Sequence, residues 1–293
     1  FAADINTPPG KLVNVYGKQL HLNCQGSGSP LVVLESGLGG SSLDWSRVQP
    51  LLRNYTRVCS YDRGGYGWSQ TDALPRTSLR IAKELHQLLS EAGESSPYIL
   101  AGHSFGGFIV RQFASLYPAE TEGLVLLDVS HEDQFYALRK SDIRKVSVSK
   151  PTDKKQQLVV PENMPGELRE LATELAKKSE AITALMSEIR YFQRSANLVR
   201  LSSLETRIPV KVITRGQHVW PDTKAGKELE ATWQLLQEDL YNRLSASSGL
   251  SHQFANQSGH YIHLEEPRLV VRAIRKMVLS QRRLAMTESS SKP

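Results

Sequence analysis

Residues 18–26, KQLHLNCQG, alternate between polar and apolar positions as a half-buried strand does, and the GSGSP that follows turns the chain. The next apolar run, LVVLESG at 31–37, lacks that alternation and closes in glycine, the pattern of a parallel strand covered on both faces. Residues 45–54 read as a short helix, and RVCSYDRGG at 57–65 reads as a strand ending in a glycine-rich turn. Over 78–92 the rhythm becomes helical, with Ile81, Leu85, Leu88 and Leu89 on one stripe. A strand at 97–102 runs into a helix from Phe105 to about Leu116, which stops before Pro118. GLVLLD at 123–128 and VKVIT at 210–214 are further strands, and HQFAN at 252–256 is a weaker one. Amphipathic helices are predicted over 224–245 and 267–284, and the polar TESSSKP ends the chain.

Strands alternating with helices predict a mostly parallel sheet with helices on both faces. The roughly 80 residues between Asp128 and Pro209 are too many for one crossover. Within them, 140–163 are polar and proline-interrupted, whereas 166–200 are helix-forming. The expected organisation is therefore a core domain from 1–130 and 209–293 with a helical cap inserted at 131–208.

Composition narrows this picture without redrawing it. The chain has 293 residues, 40% of them hydrophobic, enough for one large core plus an insertion. No apolar run is long enough to span a membrane. The net charge of +6 is densest in RLVVRAIRKMVLSQRR, which reads as the solvated face of a terminal helix and allows a peripheral contact with an anionic membrane. No nucleic-acid partner is expected, because no recognised motif accompanies that charge. Cys24 and Cys59 have no metal or redox spacing, so they are two buried hydrophobes or one disulfide. The start, FAADINTPPGK, lacks an initiator Met and is expected to be a processed or trimmed product, which leaves an upstream signal or anchor open.

Candidate chemistry lies where strands end. ILAGHSFGG at 99–107 has the form G-x-S-x-G, in which a strand reverses sharply into a helix and Gly102 and Gly106 remove the side chains that would collide. The Ser104 hydroxyl would then stand exposed at the strand end. ESGLGG after the strand at 31–35 offers backbone amides, and SGHYIHLEEP after the last strand offers His260. A nucleophile, a base and oxyanion donors are what acyl transfer needs. The donors would be the N–H groups of Leu38 and Phe105.

Five stretches in order, LESGLGGSSLDW, YDRGGYGWS, GHSFGG, GLVLLD and SGHYIHLEEP, resemble the α/β-hydrolase superfamily over nearly the whole chain outside the cap. The resemblance implies an α/β-hydrolase fold with a mostly parallel eight-stranded sheet, Ser104 as nucleophile, His260 as base and an acid between them in chain order. The usual loop for that acid, RGQHVWPDT, has no carboxylate at the usual spacing. Asp128, at the end of the preceding strand, is the expected acid; Asp222 is the alternative, followed by Glu132 or Asp133. Asp62 resembles the superfamily's structural turn, where a carboxylate ties down loop amides.

The activity implied is hydrolysis of small-molecule carboxylic esters with apolar acyl groups, without cofactor or metal. Thioesterase, lactonase, perhydrolase and slow-turnover small-ligand receptor remain alternatives. Serine at the turn disfavours dehalogenases and epoxide hydrolases, which resemble the chain but carry Asp there. Beside the nucleophile, His103 reads as a packing or substrate-edge residue, and His263 as packing. His131, Glu132 and Asp133 read as a polar hinge into the cap. Trp45, Trp68, Phe135, Tyr136, Tyr191 and Phe192 are candidates for an apolar pocket or for core.

Overall fold

The computed structural model describes residues 4–71, 75–140, 160–204, 207–244 and 250–290. Its strands are β1 (Lys11–Val15), β2 (Lys18–Gln25), β3 (Leu31–Glu35), β4 (Val58–Tyr61), β5 (Tyr98–His103), β6 (Thr121–Leu127), β7 (Val210–Arg215) and β8 (Gln253–Ala255). The helices before the insertion are α1 (Gln49–Leu52), α2 (Ser78–Glu91) and α3 (Gly106–Leu116). Between β6 and β7 come α4 (Gln134–Lys140), α5 (Gly166–Ala176), α6 (Ser179–Arg190) and α7 (Phe192–Leu201). After β7 follow α8 (Lys224–Leu244), α9 (Ile262–Glu265) and α10 (Pro267–Ser290).

The eight strands form one sheet in the order β1-β2-β4-β3-β5-β6-β7-β8. The pairs β1–β2 and β2–β4 are antiparallel and the rest are parallel. β3 and β5 are buried at every position. Alternation along a strand sends successive side chains to opposite faces, so these runs feed two cores. Leu31, Val33 and Leu100 meet α2 and α3 residues such as Leu85, Leu88 and Phe108 on one face. Val32, Leu34, Ile99 and Ala101 meet Leu52, Val270 and Ile274 from α1 and α10 on the other.

Several expectations are refined. β1 is a strand that the pattern missed, an edge strand with only Val13 and Val15 buried. The helix expected over 45–54 is a 3₁₀ turn at Ser42–Trp45 followed by the single turn of α1. The 166–200 stretch divides into α5, α6 and α7. α10 continues to Ser290, through part of the stretch expected as a polar tail. Most of the polar 140–163 stretch lies outside the described residues. Cys24 and Cys59 face each other on the β2–β4 ladder, Cα atoms 4.0 Å apart, and form a disulfide.

α5 lies over the loops at the carboxyl ends of β3 and β4, where Met164, Ala172 and Leu175 pack with Leu43, Trp68 and Leu264. α7 instead joins the α2–α3 layer through Ala196 and Val199. The basic positions of α10 face outward. Arg272, Lys276 and Arg283 line a surface cleft of about 730 Å³ with Arg207 and Lys211.

Candidate active site

The turn from β5 into α3 carries Ser104 at φ 51°, a left-handed conformation rare for a residue with a side chain. Its glycines are sterically required. A Cβ on Gly102 would lie 2.8 Å from the Gly106 carbonyl oxygen, and one on Gly106 would lie 2.7 Å from the carbonyl oxygens of Glu35 and Ser36. The turn is pinned from both sides: the Ser104 amide donates to Leu127 O at 3.2 Å, and its carbonyl accepts from Gly107 and Ser130, each at 3.0 Å. Ser104 itself is half-buried.

The loop after β3 comes up against this serine. A Cβ on Gly37 would sit 3.1 Å from Ser104 Cβ and 2.9 Å from His103 Nδ1. The backbone N–H groups of Leu38 and Phe105 donate to no acceptor among the described residues. Phe105 precedes α3, whose N-terminal amides add partial positive charge. Below the loop, Trp45 Nε1 donates to Ser36 Oγ at 3.0 Å, and Ser36 Oγ donates to Ser41 O at 2.7 Å.

His260 stands in the loop after β8, and its Nδ1 lies 2.7 Å from Asp128 Oδ2. Asp128 is fully buried just past β6, at φ 44°. Arg215 Nη1 also donates to Oδ2, at 2.7 Å; Oδ1 accepts from Trp233 Nε1 at 2.8 Å and the Arg215 amide at 3.4 Å. Burial alone would raise this carboxyl. The His260 hydrogen bond and attraction, the Arg215 charge and the Trp233 N–H together outweigh burial and hold it below the usual carboxylate value. Arg215 is held in turn by Glu230 and by the rings of Trp220 and Trp233, at 4.7 and 4.8 Å.

Two further imidazoles border the site. His103 Nε2 donates to the His260 carbonyl at 2.9 Å, which leaves its Nδ1 as the lone-pair nitrogen. Burial, then the neighbouring His263 and His260, pushes His103 well below the usual histidine range. Burial and His260 bring His263 down to about 3. Both rings are therefore neutral at pH 7, and neither places a cation beside His260.

The structure thus brings Ser104, Leu38 and Phe105 together at one strand end, and His260 onto Asp128. It separates other candidates from them. Asp222 is 85% exposed and pairs with Lys227 at 2.9 Å, so the alternative acid is a surface residue. Trp45 is completely buried beneath the loop after β3, packed at a tilt on His263, and does not line a pocket. Phe135 and Tyr136 are exposed on α4, where their rings pack edge-to-face on each other and Arg139 lies over Phe135. Trp68 is core under α5, and Tyr191 is a half-buried residue beside Arg190. Of the pocket candidates, Phe192 alone packs on Phe105 and Phe108.

The hinge reading of 131–133 fits an ion network. His131 bonds Asp239 at 2.8 Å, Glu132 pairs with Arg111 and Arg243, and Asp133 with Arg200. Asp62 accepts from the Ser42 and Trp68 amides at 2.7 and 3.1 Å, tying down both loops as expected. Sequence reasoning missed Arg215 and Trp233. The available signal was a core strand, VKVITR, ending on a cation where a buried carboxylate must be matched.

The sequence model described as "alpha/beta hydrolase fold" matches residues 30–244. Among curated relatives, an "AB hydrolase superfamily protein" of Gibberella zeae is 35% identical over 97 residues, 33% of this chain and 30% of that one. "Putative carbamate hydrolase RutD" of Pseudomonas savastanoi pv. phaseolicola is 34% identical over 123 residues, 42% of this chain and 47% of that one. The chain spans less than half the length of these curated relatives. Among solved structures, a thermophilic esterase from Thermogutta terrifontis superposes with TM-score 0.61 at 21% identity, covering 90% of this chain and 94% of that one. Epoxide hydrolase CorEH gives TM-score 0.65 at 19% identity, covering 91% and 97%. With the family model spanning most of the sequence and this sheet order around it, the chain belongs to the alpha/beta hydrolase fold family.

Proposed function

We propose that the protein is a serine hydrolase that cleaves carboxylic esters of apolar acyl groups through a covalent acyl-enzyme. The observation that carries this reading is the 2.7 Å hydrogen bond from His260 Nδ1 to a fully buried Asp128. A carboxylate there keeps the proton on Nδ1 and leaves the Nε2 lone pair to take the Ser104 proton. Ser104 Oγ then attacks the acyl carbonyl, and the carbonyl electrons move onto oxygen. The Leu38 and Phe105 amides, unpaired among the described residues, are the donors for that oxyanion. When the tetrahedral adduct collapses, His260 returns the proton to the leaving alcohol. Water, activated by His260, attacks the acyl-Ser104 ester and releases the acid and the free serine.

A serine rather than an aspartate at the turn favours this chemistry over epoxide opening. A carbamate presents the same acyl carbon, so the RutD likeness supports carbamates as a second substrate class. Phe192, packed on the ring of the oxyanion residue Phe105, is the pocket candidate that touches this turn.

Hydrolysis of p-nitrophenyl esters from acetate to palmitate tests the reading. The expected result is steady turnover by the wild type and a loss of roughly 10³-fold or more in kcat for Ser104→Ala. Turnover that survives Ser104→Ala would overturn it. A burst with near-zero steady rate would replace it with the receptor reading.

A further inference from the structure

Against the loop after β3 lies a buried guanidinium that the mechanism above does not use. Arg63 is 2% exposed. Its Nη1 donates to Glu35 Oε1 at 2.7 Å and to Ser36 O at 2.8 Å. Its Nη2 donates to Gly37 O at 2.7 Å and to Glu188 Oε2 at 3.2 Å, and Nε donates to Glu188 Oε1 at 2.9 Å. Glu35 ends β3 and also accepts from Tyr61 Oη. Glu188 lies on α6, is fully buried and accepts from Tyr66 Oη at 2.9 Å. One planar fork therefore joins two loop carbonyls to a core strand and to a helix of the insertion.

Peptide geometry gives these carbonyl bonds a consequence. The Gly37–Leu38 peptide is trans, the cis bonds among the described residues being Ser29–Pro30 and Ser96–Pro97. In a trans unit the C=O and the N–H point in opposite directions. A Gly37 carbonyl fixed toward Arg63 thus turns the Leu38 N–H away from Arg63, in a loop that borders the serine, since a Cβ on Gly37 would lie 3.1 Å from Ser104 Cβ. Without the clamp, a glycine-bounded peptide rotates at low cost.

We infer that Arg63 is a positioning residue for the Leu38 oxyanion donor, and that Glu188 makes this positioning depend on the seating of α6. The inference rests on the serine-hydrolase reading of the site. When α6 is docked, Glu188 occupies Nε and fixes the fork in the orientation that reaches both carbonyls. When α6 lifts, Arg63 keeps Glu35 but loses the two Glu188 bonds that set its plane. Oxyanion stabilisation is then strongest only with the insertion closed over the site. An ammonium cannot replace this fork, because its donors do not lie in one rigid plane.

The test separates binding from transition-state stabilisation. Arg63→Lys and Glu188→Ala should each lower kcat for a p-nitrophenyl ester by about 10²-fold, the effect of losing an oxyanion donor, with KM within about threefold of wild type. A trifluoromethyl ketone, whose adduct with Ser104 carries an oxyanion, should bind more weakly by the same factor, while the product carboxylic acid should not. Glu188→Gln keeps an acceptor for Nε and should restore most of kcat. The Arg63→Lys/Glu188→Ala double variant should lose little more than the larger single loss. Equal weakening of ketone and product, or losses that multiply in the double variant, would overturn the inference. Should both single variants prove unfolded, Tyr66→Phe decides, since it removes only the phenol donor to Glu188. A selective loss of several-fold to about tenfold in kcat is expected there, and an unchanged kcat would overturn the inference. Ser104→Ala separates the two levels: activity in that variant overturns the serine-hydrolase reading, whereas an inactive Ser104→Ala with wild-type kcat in Arg63→Lys overturns the clamp alone.

Discussion

Asp128→Asn is the substitution whose outcome the geometry constrains most tightly. All four partners of the carboxylate are donors: His260 Nδ1 and Arg215 Nη1 on Oδ2, Trp233 Nε1 and the Arg215 amide on Oδ1. An asparagine has one acceptor oxygen and one NH₂, so either orientation sets donor against donor. With NH₂ in the Oδ2 position, it faces the Arg215 guanidinium and accommodates His260 only as the tautomer with its proton on Nε2. That tautomer cannot accept the Ser104 proton. With NH₂ in the Oδ1 position, it faces the Trp233 N–H, and a neutral amide replaces the carboxylate that stabilises the imidazolium formed during attack. Either way kcat should fall by about 10³–10⁴-fold, the scale seen when a buried triad carboxylate becomes an amide, or about 4–5 kcal/mol of barrier. Stability should fall by less than the 3–5 kcal/mol typical of breaking a buried pair, because Arg215 keeps Glu230. The assay is steady-state hydrolysis of p-nitrophenyl butyrate across pH, with urea unfolding of the same samples. A folded Asp128→Asn variant within tenfold of wild-type kcat would refute the assignment.

Other consequences are independent of that pair. Asp222→Asn should leave kcat/KM within about twofold, since the side chain is exposed and, among the described residues, bonded only to Lys227; a loss of 10²-fold would make Asp222 the acid. Asp44 is buried beside the loop after β3, and burial raises its carboxyl from the usual 3.8 to about 7. A raised folded value means stability from this group is complete below the unfolded value and is lost as pH rises through 7. Asp44→Asn should therefore gain on wild type by about 3 kcal/mol between pH 5 and pH 8 in urea unfolding, and parallel pH curves would contradict this. The Cys24–Cys59 disulfide closes a separation of 35 residues. Replacing both cysteines by alanine should cost about 4 kcal/mol by the chain-entropy relation, and a loss below 1 kcal/mol would show that the bond constrains little.

How much was legible depended on whether a residue's job is local. The serine turn could be read directly, because the collisions that Gly102 and Gly106 avoid are with residues a few positions away or with the adjoining loop. The two sheet faces were legible for the same reason: alternation is a property of the strand itself. For the acid the sequence ranks Asp128 first and leaves Asp222, then Glu132 or Asp133, open, since choosing among them needs the position of Arg215, brought beside Asp128 by the β6–β7 pairing. The cysteine pairing likewise needed the β2–β4 register, which no spacing encodes. Aromatic side chains were the least informative. Trp45 lies in a four-residue turn with no periodicity to orient it, and Phe135 and Tyr136 open a short helix whose outward face shows only once α4 is placed.

The proposed function requires Ser104 to be an activated nucleophile. Treatment with a fluorophosphonate, followed by acid quench and peptide mass mapping, tests it most directly. One phosphonyl adduct is expected, on the peptide containing Ser104, absent from Ser104→Ala and formed far more slowly in His260→Ala. Ester turnover by wild-type protein that yields no adduct on Ser104, or an adduct at another residue that abolishes turnover, would contradict it.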